Sequence, residues 1–477
     1  MGRSSTSQPN LVFVFADQLR RDCVGYNGDA HARTPNLDRL CGQAVNFSNA
    51  ISAHPVCAPF RASLFTGKYS SSTGMVINTV RCNPNHECFG HVLTRGGYET
   101  SYIGKWHLWG TKRGDYYDTQ YAYTPPGEYR LGFDGYWAAY NFLHNYYLSQ
   151  CFEDTPQPIR PHGYEPDFQT DLAIERVRRM SGTGNPFALF LSFGTPHEPW
   201  DRCNVPEDFA KAFDWVDFED RPPNFMAGVD NYRDPWTGGD GYADAESYVR
   251  DLRSYYAMTA NLDWNVGRLL KALDKMGLAD DTIVVFTSDH GSMFGEHGRA
   301  GKCTFYEEAV RVPLLVRWPG KSPAGQATDA CLSTPDIMPT LLSMMHLPVP
   351  AAAEGADLSH LALGQAGPEP DCALLQGMAE TDAWNDGFEW RAMRDKRHTY
   401  AVYRQPRMEL LFDNVADRYQ MTNLIDDPAH ADTAERLRKM MADRMAALGD
   451  TFEPASWYRD NWIDENFNVV RSATLNA

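Results

Sequence analysis

The chain reads as an α/β protein: a large domain with a mostly parallel central sheet flanked by helices, then a small C-terminal α+β domain. Three observations predict this. Short runs rich in β-branched and aromatic residues recur between helical stretches, as strands buried on both faces of a parallel sheet require. Tyr255, Met258, Leu262, Val266, Leu269 and Leu273 recur at steps of three and four, the apolar face of a long amphipathic helix ending at Gly277. At 477 residues the chain is also about three ordinary domains long, which suits one large α/β domain with a smaller one behind it.

The predicted strands of the large domain are Leu11 to Phe15, Thr100 to Ile103, Phe187 to Phe193, Thr282 to Thr287 and Pro313 to Val316. Two stretches, Tyr116 to Pro161 and Pro222 to Gly241, are too irregular for core elements and are expected to be long insertions over one edge. Such loops carry specificity. A shift to Pro, Ala and Gly between Pro348 and Gly367 marks a connection, so the domains are expected at residues 1–350 and 351–477. Beyond it, Trp390 to Met393, His398 to Tyr403 and Glu409 to Phe412 read as short antiparallel strands, and Asp432 to Leu448 as a helix. Ser456 to Ala477 is aromatic and charged without helical periodicity. Its part from Trp457 to Phe467 is expected to dock on the chain itself or to reach a neighbouring subunit in a homo-oligomer.

With 43% hydrophobic and 22% charged residues the chain fills a core, and no run of about 18 apolar residues is present to span a bilayer. Its 44 Lys and Arg against 62 Asp and Glu give a net charge of -18, which repels a polyphosphate backbone and excludes nucleic acid as a partner. An anionic substrate must therefore be held by a local cluster of cations. No apolar segment precedes the first strand, so a cytoplasmic location is expected unless a signal peptide lies outside this sequence. The ten cysteines form no CxxC pair and are expected to be mostly reduced and buried.

Ligands of open α/β sheets bind beyond the strands' carboxyl ends. The first strand runs into Asp17-Gln18 and the fourth into Asp289-His290, so two carboxylates, an amide and an imidazole converge in a plausible divalent-metal cage. Oxygen ligands favour calcium or magnesium, and the histidine leaves manganese or zinc open. The alternative is that Asp17 and Asp289 cap the helices that follow. A second candidate is Cys57. A cysteine-phosphatase loop needs Arg six residues after its nucleophile, but that position is Ser63, and the thiol-phosphatase reading fails.

Cys57-Ala58-Pro59-Phe60-Arg61, followed by Ala62-Ser63-Leu64-Phe65-Thr66-Gly67, resembles the first signature, C-x-P-x-R, of the formylglycine-dependent (type I) sulfatases of the alkaline phosphatase superfamily. Thr34 to Leu40 resembles the run these enzymes place after their first strand, and Gly97 to Leu108 resembles their second signature. The resemblance covers nearly the whole chain and implies an alkaline-phosphatase-like large domain. It implies a sulfuric ester hydrolase in which a separate enzyme oxidises Cys57 to formylglycine. One hydroxyl of the hydrated aldehyde attacks sulfur, and collapse of the other expels sulfate.

Carried over residue by residue, it implies metal ligation by Asp17, Gln18, Cys57, Asp289 and His290, with calcium favoured and magnesium or manganese open. Arg61 is expected to hold the hydrate, Lys105 to bridge it and the sulfate, and His107 to take the proton that triggers release. His197 is expected to contact sulfate and the leaving oxygen, Lys302 to act as acid for the leaving group, and Asn78 to bind substrate. The implied substrate is a small-molecule or carbohydrate sulfate ester, and the implied partner is the modifying enzyme. Gln18, His290 and Asn78 depart from the commoner pattern toward phosphonate monoester hydrolases and choline sulfatases, and Phe60 stands where Ser is usual. Lys105-Trp106-His107 is the sulfatase form of the second signature, which favours sulfate. The alternatives are a phosphonate monoester hydrolase or phosphodiesterase using the same residues, and a sugar-binding relative without catalysis.

Overall fold

The computed structural model describes residues 8–112, 114–218, 220–225 and 245–475. Among them the strands run, in chain order, β1 (Asn10–Asp17), β2 (Val45–Phe47), β3 (Glu99–Lys105), β4 (Tyr136–Tyr140), β5 (Phe187–Pro196), β6 (Thr282–Ser288) and β7 (Met293–Phe294). β8 (Ala300–Gly301), β9 (Leu314–Arg317) and β10 (Gln326–Thr328) follow, and then β11 (Cys372–Gly377), β12 (Trp390–Asp395), β13 (His398–Tyr403) and β14 (Met408–Asp413). An eight-stranded sheet has the order β10-β2-β9-β6-β1-β5-β3-β4. β1 lies parallel between β5 and β6, with Val12 opposite Leu189 and Val284, and only β9 runs antiparallel to its neighbours. The expected mostly parallel sheet is what forms.

The apolar run of β1 serves both faces because successive side chains alternate. Leu11, Phe13 and Phe15 join one cluster with Phe60, Leu64 and Phe65 of the helix Cys57–Thr66 and Leu341 of the helix Thr334–Met344. Val12, Val14 and Ala16 join the other, with Val177 of the helix Glu165–Ser181 and Leu262 and Leu269 of the helix Ala245–Lys275. That last helix also caps another. Pro35–Cys41 has no side-chain cap of its own, and Asp263 accepts from the amides of Asn36 at 3.0 Å and Leu37 at 2.7 Å.

The second sheet is antiparallel, in the order β11-β12-β13-β14. One face packs Met393 and Tyr400 under Leu437 and Met441 of the helix Ala431–Leu448. The other packs Leu375, Trp390 and Tyr403 on Phe305 and Val310 of the large domain, a few residues beyond Lys302. The small sheet therefore braces that part of the chain.

Three expectations are corrected. The insertion Tyr116 to Pro161 contains β4, an edge strand whose Trp137 is buried against β3, too short and too closely followed by polar residues to show alternation. β11 was not among the predicted strands and supplies the first strand of the small sheet. The terminal stretch starts with a helix, Ala455–Trp462, two turns held by Tyr458 packed at a tilt 4.6 Å from Trp462. Its continuation docks on the chain itself, Val469 donating to the Arg81 carbonyl at 3.0 Å and Ala473 to that of Ser71 at 3.0 Å. Of the second insertion, residues 226–241 lie outside the described residues.

Arg391 of β12 and Asp450, both fully buried, meet at 2.6 and 2.7 Å. Removing one partner strands the other charge in a medium that cannot solvate it. Arg391→Met is expected to lower unfolding free energy by about 3–5 kcal/mol in urea titrations, and adding Asp450→Leu to recover most of the loss. A double variant no more stable than the single one counts against the pair.

Candidate active site

Because β1, β3, β5 and β6 are neighbours running in one direction, their carboxyl ends deliver Asp17, Lys105, His197 and Asp289 to one edge. No helix begins within five residues of Asp17 or Asp289, so the capping alternative falls away. Asp289 Oδ1 instead accepts from the amides of Gln18 at 3.0 Å and His290 at 2.9 Å. Lys105 comes as close as it does because Gly104, at φ 103°, lets β3 lie tight on β5: a Cβ there would sit 2.0 Å from the Ser192 carbonyl oxygen.

Cys57 is the first residue of a helix whose ten residues are all buried. Asn78 Oδ1 accepts from the Ala58 amide at 2.9 Å, in place of an N-cap side chain. One turn along, Arg61 lies on the same side. Its Nη2 donates to Asp17 at 3.2 Å and Asp289 at 3.3 Å, and its Nη1 to Ser192 Oγ at 2.8 Å and the Lys105 carbonyl at 2.7 Å. Arg61 is thus committed to the strand ends.

Asp17, Cys57, Asp289 and His290, all buried, offer ligand atoms within 4.8 Å of one another. The His290 Nδ1 proton goes to the Gly291 carbonyl at 2.8 Å, which turns the Nε2 lone pair toward Cys57 Sγ at 3.2 Å. Burial and the neighbouring Asp17 push the Asp289 carboxyl up to about 7. Burial pushes Asp17 the same way, but Lys105 and Arg61 outweigh it and hold it well below the carboxylate range. Two close buried carboxylates and a lone-pair nitrogen are the donor set of a divalent cation, and these residues fit one. Gln18 stands beside the group, its Oε1 accepting from Lys302 at 2.8 Å and its Nε2 donating to Glu198 at 2.6 Å. Burial, reinforced by Asp17, pushes the Cys57 thiol up to about 12, so the unmodified side chain is protonated and unreactive.

The remaining predicted residues close the rim. Lys105 Nζ donates to Asp17 at 2.5 Å. His107 is fully buried at φ 57°, and among the described residues neither ring nitrogen has a hydrogen-bond partner. Burial and nearby Lys105 hold it neutral, well below its ordinary value. Lys302 Nζ donates to His197 Nε2 at 2.6 Å. Sequence reasoning missed Ser192, Glu198, Phe142 and His144. The last two come from the loop after β4, where no strand end or signature marks them; the one available signal was the run of aromatic residues.

A parallel sheet whose carboxyl edge carries buried carboxylates, three buried cations and histidines around a helix-initial cysteine is the frame of an enzyme that handles oxyanions. Residues 9–347 match the Sulfatase family, and residues 295–447 match the C-terminal region of N-sulphoglucosamine sulphohydrolase. The chain belongs to the sulfatase family of the alkaline phosphatase superfamily, and it is a hydrolase. It is 35% identical to an ulvan-active sulfatase of Formosa agariphila over 95% of this chain and 84% of that one. It is 26% identical to an N-acetylglucosamine-6-O-sulfatase of Bacteroides thetaiotaomicron over 98% and 90%. A solved sulfatase structure from Bacteroides fragilis aligns with a TM-score of 0.82 at 28% identity, covering 96% and 99%.

Behind β4, buried Glu165 accepts from Tyr140 Oη at 2.8 Å, from Gln169 at 3.0 Å and from Ser149 Oγ. Burial pushes its carboxyl from 4.5 up to about 7. Between those values the folded state binds a proton that the unfolded state has released, so stability falls as pH rises. Glu165→Gln is expected to remove up to roughly 3 kcal/mol of that pH dependence, read from urea unfolding between pH 4.5 and 7. An unchanged slope would refute the assignment.

Proposed function

We propose that the chain hydrolyses a sulfate monoester of a carbohydrate, using residue 57 as formylglycine and a divalent cation, calcium in preference to magnesium or manganese. The observation that carries this reading is Cys57 itself. Its thiol is buried, protonated and unreactive, yet it sits at the first turn of a helix, 3.2 Å from His290 Nε2 and among three buried cations. Conversion to formylglycine would give a side chain so placed a better nucleophile. As formylglycine hydrate it supplies one hydroxyl for attack on sulfur and a second whose collapse releases sulfate. Asp17, Gln18, Asp289, His290 and residue 57 would hold a divalent cation, which would supply charge neutralisation and lower the pKa of the hydroxyl.

The chain's own groups divide the remaining work. Arg61, pinned to both carboxylates, braces residue 57 and the strand ends. Lys105 and Lys302 offer N–H donors to sulfate oxygens in a site with little water. Lys302, hydrogen-bonded to His197, is placed to give a proton to the leaving oxygen. His107, neutral and unpartnered, is free to accept one. Asn78 holds the first turn of the helix and borders the substrate. The carbohydrate class is supported by the N-acetylglucosamine-6-O-sulfatase relative. We also place the catalytic unit at residues 1–350 and the supporting subdomain at 351–477, since the large sheet ends at Thr328 and the small one begins at Cys372. A modifying enzyme that oxidises Cys57 is the required partner.

Asp17→Ala and Asp289→Ala are each expected to abolish turnover of an aryl sulfate, because each deletes an anionic donor. Full activity in either variant overturns the cage. A ratio of kcat/KM favouring an aryl phosphonate over the matching aryl sulfate would move the reading to phosphonate monoesters. In active protein the peptide carrying residue 57 is expected to be lighter than its cysteine form by about 18 Da, or to match the aldehyde's hydrate. Multiple turnovers by protein that mass spectrometry shows to hold only cysteine there would sink the formylglycine mechanism.

A further inference from the structure

We propose that His144, from the loop after β4, is a positioning residue of this site: it fixes the Lys105 ammonium so that the remaining N–H meets a sulfate oxygen. The inference rests on the sulfate-ester reading above. His144 lies outside every signature, and only the structure brings it to Lys105, with its Nε2 3.2 Å from Lys105 Nζ.

The proton inventory around the ring decides its role. Tyr146 Oη has one proton and two carbonyls to give it to, Gly194 at 2.6 Å and His197 at 2.9 Å. Its oxygen, 3.2 Å from His144 Nδ1, is therefore an acceptor there, and the ring proton belongs on Nδ1. That leaves the Nε2 lone pair facing the ammonium. A doubly protonated ring would instead point an N–H at a lysine. His197 repeats the pattern. Its Nδ1 donates to the Glu198 carbonyl at 2.9 Å and its Nε2 accepts from Lys302 at 2.6 Å. The two rings stack with centroids 3.8 Å apart and planes within 8°. Each lysine is thus held by a neutral imidazole of the same tautomer, and the stack fixes the two imidazoles relative to each other.

An ammonium has three N–H groups in tetrahedral arrangement. Asp17 at 2.5 Å takes one and His144 takes another, while the ring of Phe142 lies 4.7 Å from Nζ. With two directions set, the third is set as well. Without His144 the ammonium keeps one anchor, Asp17, and the lysine side chain can shift around that single contact.

Two substitutions separate acceptor from stack. His144→Phe keeps a ring on His197 and removes the acceptor, whereas His144→Gln places an amide oxygen near the Nε2 position and gives up the stack. Binding of inorganic sulfate, measured by titration calorimetry, is expected to weaken at least about tenfold in His144→Phe, the size of one charge-assisted hydrogen bond, and to return most of the way in His144→Gln. With an aryl sulfate the Phe variant is expected to lose kcat as well as kcat/KM, at unchanged melting temperature and unchanged formylglycine content. If His144→Phe does not fold, His144→Asn, whose shorter amide cannot reach Lys105, takes its place. Sulfate affinity equal to wild type in the variant lacking the acceptor, or a Gln variant as impaired as it, overturns the proposal. A wild-type protein that binds sulfate but turns over no sulfate ester overturns the sulfate-ester reading alone, because the calorimetric comparison still decides His144.

Discussion

The site is organised by the difficulty of burying Asp17 and Asp289 side by side. Neither carboxylate reaches water, and each disfavours the charge on the other, so the pair persists only where cations are buried with it. Arg61 meets that demand most directly by bridging both carboxylates. Its other amino group ties the Lys105 carbonyl and Ser192, so one guanidinium joins the ends of β1, β3 and β5 and the edge beyond β6 to the helix of Cys57. The full burial of that helix follows, since Arg61 must arrive from within. The chain's net charge of -18 makes the arrangement necessary in a second sense. An anion approaching this molecule is repelled at long range and is held only by groups gathered at short range.

The same alternation explains how much of the fold was legible. Leu11 to Phe15 could be read as a doubly buried strand because both of its faces are apolar, and the structure splits those residues between two clusters. Asp17, Gln18, Asp289 and His290 were legible for a related reason: a polar residue directly after such a strand has nowhere to be except the ligand edge. Whether they capped helices or formed a cage was not, because both outcomes place an Asp at the same position in the chain. β4 escaped notice since five residues beside one neighbouring strand need little alternation. The Ala455–Trp462 helix escaped since two turns held by tilted and edge-on aromatic contacts show no period. Gln18 was legible as a polar strand-end residue, but not the direction of its amide, which tertiary contacts with Lys302 and Glu198 determine.

The small domain contributes through packing. Leu375, Trp390 and Tyr403 lie on Phe305 and Val310, just past Lys302, and the Trp390 indole donates to the Cys303 carbonyl at 3.0 Å. Thr381 accepts from the Asn78 amide at 3.1 Å, behind the residue that caps the helix of Cys57. A shift of the small sheet would therefore reach both Lys302 and the first turn of that helix. Lysine is a flexible cation, and a rigid backbone beneath it is what makes its position useful.

Rigid strand ends and variable loops also separate reaction from recognition. Asp17, Lys105, His197 and Asp289 are fixed by hydrogen-bonded strands, so the geometry of this edge changes little when loops change. Phe142 and His144 come from the insertion after β4, and Thr381 from the turn after β11, segments free to vary in length without disturbing the sheet. Yet His144 touches Lys105, and Thr381 holds Asn78. These loop residues are thus joined to Lys105 and Asn78 by single hydrogen bonds. A sequence that altered them to admit another alcohol would also have to keep an acceptor near the position of the His144 Nε2, which restricts how freely substrate preference can drift at a constant rate of reaction.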